Sequence, residues 1–181
     1  PMQTIKVNDK IVLKQIELSD AGDVFNTINT ERDYLGEWLP FVEYTKHQND
    51  TESFIASIYN VPADKQELVF VIRYENIFVG LIGFKDTDRL NKKTEIGYWL
   101  SQFYQRKGII TESVKTLVNH AFKNMAINRV QIKCATGNIP SKNIPKRLGF
   151  RFEGIERDGE ILTGDKYTDL EVYSILKKDI E

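Results

Sequence analysis

Two strand-like runs joined by one long amphipathic helix constrain the fold of this chain more than any other feature. Residues 94–100, Thr-Glu-Ile-Gly-Tyr-Trp-Leu, are apolar and aromatic and read as a strand. Val114, Leu117, Val118, Ala121, Phe122 and Met125 then recur at helical spacing, so this helix has one apolar face and must cover a sheet. Arg129 through Ala135 alternates strictly and follows it as a second strand. Strand, helix and strand in that order make a right-handed parallel crossover, which places the chain in the mixed α/β class.

The remaining elements fit that class. Residues 10–13 read as a short first strand, and Ser19 and Asp20 offer caps for a helix with Ala21, Val24, Phe25 and Ile28 on one face. Leu35, Trp38 and Leu39 imply a second helical piece stopped by Pro40, and the aromatic stretch after it is expected to be irregular. Trp38, Phe41 and Tyr44 either wall a substrate pocket or pack in the core. Asn49, Asp50 and Thr51 are expected to cap a third helix carrying Phe54, Ile55 and Ile58. Residues 68–74 and 77–84 flank the polar pair Glu75-Asn76 and make a hairpin. A helix is expected from Asn138 through Leu148, closed by Gly149, before two long strands at 150–162 and 167–176. No repeat, linker or low-complexity segment interrupts the chain, so a single domain over residues 1–181 is expected. Pro1 ahead of Met2 reads as a processing or cloning residue.

The stretch 105–112, Gln-Arg-Lys-Gly-Ile-Ile-Thr-Glu, is the turn between the first strand of the crossover and its helix. Two cations, a glycine and a helix start fall within it, so unpaired backbone N–H groups and the positive end of a helix dipole converge beside Arg106 and Lys107. That is a place for a phosphate, with a solvated turn as the plain alternative.

Composition narrows the function classes. A chain of 181 residues, 41% hydrophobic and 28% charged, is long enough to bury a sizeable core and is an ordinary globular sequence. No apolar run approaches the roughly twenty residues that cross a bilayer. The N-terminus lacks a signal pattern, so a cytoplasmic protein is expected. Cys134 is the single cysteine, which excludes an internal disulfide, and with His47 and His120 alone a structural zinc site has too few ligands. Cys134 reads as a buried apolar filler and His120 as a surface residue. A net charge of −1 gives no general attraction to nucleic acid or membrane. Its distribution is uneven, with six cations against three acids in residues 85–107 and nine acids against five cations in residues 151–181. One region could welcome a polyanion and the other a cation, unless both are simply solvated faces.

Two blocks together carry a family resemblance. The first is Gln105-x-x-Gly108-x-Ile110, preceded by Gly97-Tyr98-Trp99-Leu100 and followed by Thr111-Glu112; the second is Asn138-x-x-Ser141-x-x-Ile144-x-x-x-Leu148-Gly149-Phe150. On strand, helix, strand and helix in that order, they resemble the acetyl-CoA-dependent N-acetyltransferases of the GNAT superfamily. The ending Glu153-Gly154 … Asp169-Leu170-Glu171-Val172-Tyr173-Ser174 resembles the Rim-type subgroup that acetylates ribosomal-protein N-termini. The resemblance implies the acyl-CoA N-acyltransferase fold, a single twisted mixed sheet with splayed central parallel strands, flanked by helices on both faces. It implies that backbone groups of Tyr98, Trp99 and Leu100 pair with the pantetheine arm of acetyl-CoA. The pyrophosphate would lie on the turn of Gln105, Arg106, Lys107, Gly108, Ile109, Ile110 and Thr111, with Asn138 and Asn143 also on the cofactor. No metal is implied. The sequence departs from the family pattern at Ile110, where a small residue is usual, and at Arg106, often glycine. It departs further at Pro145, where many relatives carry a tyrosine that protonates the leaving thiolate. Proline also cannot donate to the Ser141 carbonyl, so a local helix distortion is expected there.

The implied chemistry is direct attack of an amine on a thioester without a covalent enzyme intermediate. An α-amine titrates at about 7.7–8.0 and a lysine side chain near 10.4, so a weak base suffices for a protein N-terminus. Ser141 is the candidate to donate a proton or hydrogen bond to the thiolate, and Asn138 to orient cofactor or acceptor, unless one of them merely caps the helix. Glu160 is the candidate base and Glu95 its rival. The expected acceptor is a ribosomal-protein N-terminus. A small-molecule amine, such as a polyamine or aminoglycoside, and a non-catalytic acyl-CoA sensor are the alternatives. Exposed C-terminal strands would suit a homo-oligomer.

Overall fold

The computed structural model describes residues 2–181; Pro1, read above as a processing residue, lies outside the described residues. The strands are β1 (Thr4–Lys6), β2 (Ile11–Gln15), β3 (Val69–Tyr74), β4 (Ile77–Asp88), β5 (Lys93–Leu100), β6 (Arg129–Ala135), β7 (Arg151–Leu162) and β8 (Lys166–Leu176). The helices are α1 (Ala21–Thr30), α2 (Arg32–Gly36), α3 (Gln48–Tyr59), α4 (Ile109–Asn124) and α5 (Ile139–Arg147). The strands form one mixed sheet in the order β1-β2-β3-β4-β5-β6-β8-β7, with β5 and β6 parallel. This is the mixed α/β architecture expected from the crossover. Two compact units share the chain, one running through Gly83 with Tyr98–Ile109, the other comprising Phe84–Gly97 and Ile110–Glu181.

In the first unit, β3 and β4 make the expected hairpin. Glu75 and Asn76 at its tip have φ of 48° and 67°, the left-handed pair that a two-residue turn demands. The core gathers Ile16, Val24, Ile28, Leu35, Ile55, Val71, Leu81 and Trp99. Val42 joins it from the 3-10 turn Pro40–Tyr44, whereas Phe41 and Tyr44 on the same turn are 41% and 71% exposed. The aromatic stretch is thus ordered and turns two of its rings outward. Arg32 braces it, donating to the carbonyls of Val42 at 2.9 Å and Thr45 at 2.5 Å. The cap of α3 falls earlier than expected. His47 is the N-cap, and Asp50, already inside the helix, reaches back to accept from the N–H groups of Lys46 and His47 at 2.9 Å each.

A side chain at Gly80 would run into the Trp99 carbonyl oxygen and come within 3.0 Å of Leu100 Cα, so glycine lets β4 lie close against the end of β5.

In the second unit, β6 pairs with β8 along its whole length, from Arg129↔Leu176 to Ala135↔Leu170. Its parallel ladder to β5 is much shorter, covering Lys93↔Arg129 to Glu95↔Gln131. This early end of the parallel ladder is the splay of the central strands. α4 buries Ile110, Val114, Leu117, Val118, Ala121 and Phe122, as its 3.6-residue period requires. α5 runs unbroken past the buried Pro145 and is closed by Leu148; the distortion expected there does not interrupt the helix. Among the described residues no helix is long and apolar enough to cross a membrane.

Candidate active site

The turn after β5 is more structured than its sequence suggested. Ser101 caps a 3-10 turn, Gln102–Tyr104, Arg106 and Gly108 take left-handed φ of 65° and 74°, and α4 is already helical from Ile109. The first N–H groups of α4 have no acceptor within the helix, and its positive dipole end coincides with them. A Cβ on Gly108 would meet nothing within 4 Å, so the space beside that glycine, just ahead of these donors, is open. Arg106 and Lys107 are exposed beside them. Ile109 and Ile110 are 1% and 6% exposed, so both side chains lie in the interior. The bulky side chain at position 110 is thus packed inward and is not displayed on the surface of the turn. Arg147, which sequence reasoning missed, donates to Thr111 Oγ1 at 3.0 Å, on the first turn of α4. Backbone donors at a helix terminus, with a cation beside them, suit a diphosphate.

Two further residues that the sequence did not single out hold this turn. Glu31, 6% exposed, accepts from Ser101 Oγ at 2.7 Å and from the Gln102 N–H at 2.8 Å. Tyr34 Oη accepts from Gln105 Nε2, and burial pushes the Tyr34 hydroxyl above its ordinary pKa. Lys107 Nζ sits 6.0 Å above the Tyr74 ring, which itself meets Tyr104 edge-on. The Trp99 side chain is buried against Phe78, with ring centroids 6.0 Å apart, while Tyr98 and Leu100 are half-buried. Any role of Trp99 toward a ligand therefore falls to its main chain.

At the start of α5, Asn138 Oδ1 accepts from the Ser141 N–H at 3.4 Å and serves as N-cap. Ser141 Oγ lies 3.4 Å from Cys134 Sγ on β6, and Asn143 is exposed. Cys134 is buried, as expected. His120 lies partly exposed at the surface, and its partial burial lowers its pKa; its Nδ1 lies 3.0 Å from the Asn124 amide.

The two candidate bases differ in environment. Glu95, with a side chain 9% exposed, accepts from Gln131 Nε2 at 3.0 Å and faces Lys85 Nζ at 3.6 Å. Glu160, on β7, is half-buried; burial raises its pKa, the charge of Lys85 opposes this, and the charge of Glu95 reinforces it. Glu95 is thus committed to two partners, while Glu160 has the raised proton affinity of a usable base. Among the described residues no cluster of three or more His, Cys, Asp or Glu could hold a metal.

Comparison with known proteins agrees with this geometry. The acetyltransferase (GNAT) domain matches residues 10–151. The putative ribosomal N-acetyltransferase YdaF of Bacillus subtilis (strain 168) is 36% identical, covering 99% of this chain and 98% of that protein. The microcin C7 self-immunity acetyltransferase MccE, solved with acetyl-CoA and AMP, superimposes with a TM-score of 0.89 at 31% identity over 95% of each chain. RimL, a ribosomal L7/L12 α-N-protein acetyltransferase solved with coenzyme A, does so with a TM-score of 0.90 at 25% identity, over 96% of this chain and 98% of that one. A full-length match to these enzymes, on a splayed mixed sheet with an open helix terminus beside it, makes this chain a member of the GNAT family, an acetyl-CoA-dependent N-acetyltransferase of the Rim type.

Proposed function

We propose that this enzyme acetylates the N-terminal α-amine of a protein, a ribosomal protein first among the candidates, and that residues 1–181 act as one N-acetyltransferase domain. The observation that carries this is the environment of Glu160. Its half-buried carboxyl has a proton affinity raised by desolvation, with Glu95 adding to the effect. Such a base suits an amine that titrates at about 7.7–8.0 far better than a lysine near 10.4. Likeness over nearly the full length to YdaF and RimL, whose names refer to ribosomal targets, supports the choice of acceptor.

The residues divide the work as follows. Bound acetyl-CoA supplies the thioester. Backbone groups of Tyr98, Trp99 and Leu100 pair with its pantetheine arm, and N–H groups from Arg106 to Thr111 hold its pyrophosphate, with Gln105 and Lys107 beside them. Asn138 and Asn143 orient the donor. Glu160 takes the proton of the incoming amine, directly or through water. Ser141 donates a hydrogen bond to the departing thiolate, in place of the tyrosine that Pro145 excludes.

A second reading, a small-molecule amine as acceptor, is favoured by the likeness to MccE, a self-immunity enzyme solved with acetyl-CoA and AMP. Release of free thiol from acetyl-CoA, measured against a panel of peptides with free N-termini and a panel of small amines, separates the two. Turnover with peptides is expected. Turnover with small amines alone would replace the first reading by the second, and turnover with neither would remove both.

A further inference from the structure

Three side chains to which the chemistry above gives no role form a buried chain of contacts beside Ser141. Lys142 Nζ lies 2.8 Å from Glu171 Oε2, the two side chains being only 12% and 11% exposed. Tyr173, 1% exposed, donates from Oη to Glu171 Oε1 at 2.7 Å. Glu171 and Tyr173 stand two residues apart on β8 and so share a face. Across the ladder Glu171 pairs with Cys134, whose Sγ is 3.4 Å from Ser141 Oγ. One carboxylate thus grips α5 at the residue after Ser141, and the strand residue opposite that carboxylate touches the serine itself.

An ion pair is an odd way to fasten a helix to a sheet. Buried charges add little net stability over an apolar pair of similar size, because desolvation offsets most of their attraction. What they add is direction, since each hydrogen bond fixes an angle as well as a distance. Direction is what α5 lacks near the serine, for Pro145 has no N–H to give the Ser141 carbonyl four residues back.

We propose that Lys142, Glu171 and Tyr173 are positioning residues that fix the Ser141 hydroxyl for the departing thiolate, tying α5 to β8 where Pro145 has removed a main-chain rung. This rests on the role given to Ser141 above. Burial pushes the Glu171 carboxyl up, but the hydrogen bonds from Lys142 and Tyr173 outweigh it and keep the carboxyl below its ordinary pKa, so the grip persists at neutral pH.

The test is steady-state kinetics on the full chain with the double variant Lys142→Met/Glu171→Gln. It removes both charges yet leaves an amide oxygen to accept from Tyr173, and so is expected to stay folded. Misplacing a reacting group by about 1 Å costs up to roughly 100-fold, so kcat should fall about 10- to 100-fold, with KM for acetyl-CoA within about threefold and the melting temperature near the parent's. In a Ser141→Ala background the same double change should cause no further loss. If the folded double variant keeps kcat within about twofold, the ion pair is only structural and the proposal fails. An equal loss in the Ser141→Ala background also overturns it, while low turnover of Ser141→Ala alone still supports the serine. Ser141→Ala with unchanged kcat removes the serine from the mechanism and the network's purpose with it.

Discussion

Arg129 grips Glu153 through both terminal nitrogens, Nη1 to Oε2 at 2.6 Å and Nη2 to Oε1 at 2.7 Å. Ser174 Oγ adds a third hydrogen bond at 2.6 Å. The bidentate guanidinium first, and the serine second, hold the Glu153 carboxyl at about 2, against an ordinary value of 4.5. Because the folded value lies below the unfolded one, the stability gained is complete above the ordinary carboxylate range and drains away as pH falls from 4.5 through about 2. Thermal melts across that window should show a steeper acid loss in the parent than in Glu153→Gln, which should be less stable at neutral pH. Parallel curves would mean that the grip contributes nothing to folding.

Glu160→Gln should lower kcat/KM about 100-fold or more and flatten the acid side of the pH–rate profile, where a base becomes protonated and fails. Lys85→Met removes the cation that opposes the upward shift of Glu160, so in that variant the acid limb should move to higher pH. A Glu160→Gln profile superimposable on the parent's would transfer the role of base to Glu95.

Two glycines should respond differently to alanine, one mainly in stability and the other mainly in binding. At Gly80 the new Cβ collides with the main chain of Trp99, which cannot move aside cheaply, so Gly80→Ala should cost about 1–3 kcal/mol in denaturant unfolding. At Gly108 nothing obstructs, but φ of 74° strains a side chain by about 1 kcal/mol. Calorimetric titration with acetyl-CoA should nevertheless find the larger loss of affinity in Gly108→Ala. If Gly80→Ala weakened binding more, the turn at Gly108 would not be the phosphate site.

Asn138→Ala should cost about 1 kcal/mol of stability, because its side chain caps α5. If capping is all it does, kcat per folded molecule will not change. A drop in kcat or acetyl-CoA affinity beyond the folded fraction would assign it the orienting role as well.

Local order was easy to read from the sequence, and partnership at a distance was not. The strict alternation from Arg129 to Ala135 and the apolar period of α4 gave a strand and a helix that the structure reproduces, because each signal lies within a few residues. β1 escaped notice, being three residues long with two exposed. The cap of α3 was displaced because Asp50 reaches back from inside the helix and does not precede it. Phe41 and Tyr44 look alike in sequence as core or pocket residues, and only the bracing of their turn by Arg32 shows them outward. For the candidate site, the phosphate-sized turn was visible as a cluster of cations and a glycine. Arg147 beside Thr111 was not visible, and neither was the commitment of Glu95 to Lys85 and Gln131, since such contacts join residues far apart in the chain.

Glu31 and Ser101 are seventy positions apart, yet one carboxylate binds the serine hydroxyl and the following N–H together. The carboxyl end of α1 and the approach to the cation-bearing turn therefore form a single mechanical piece. A mutant library that randomises α1 or α2 to change acceptor choice will also, through this joint, retune affinity for the acetyl donor. Variants selected for a new acceptor should be ranked at saturating donor, or improved recognition will be mistaken for failure.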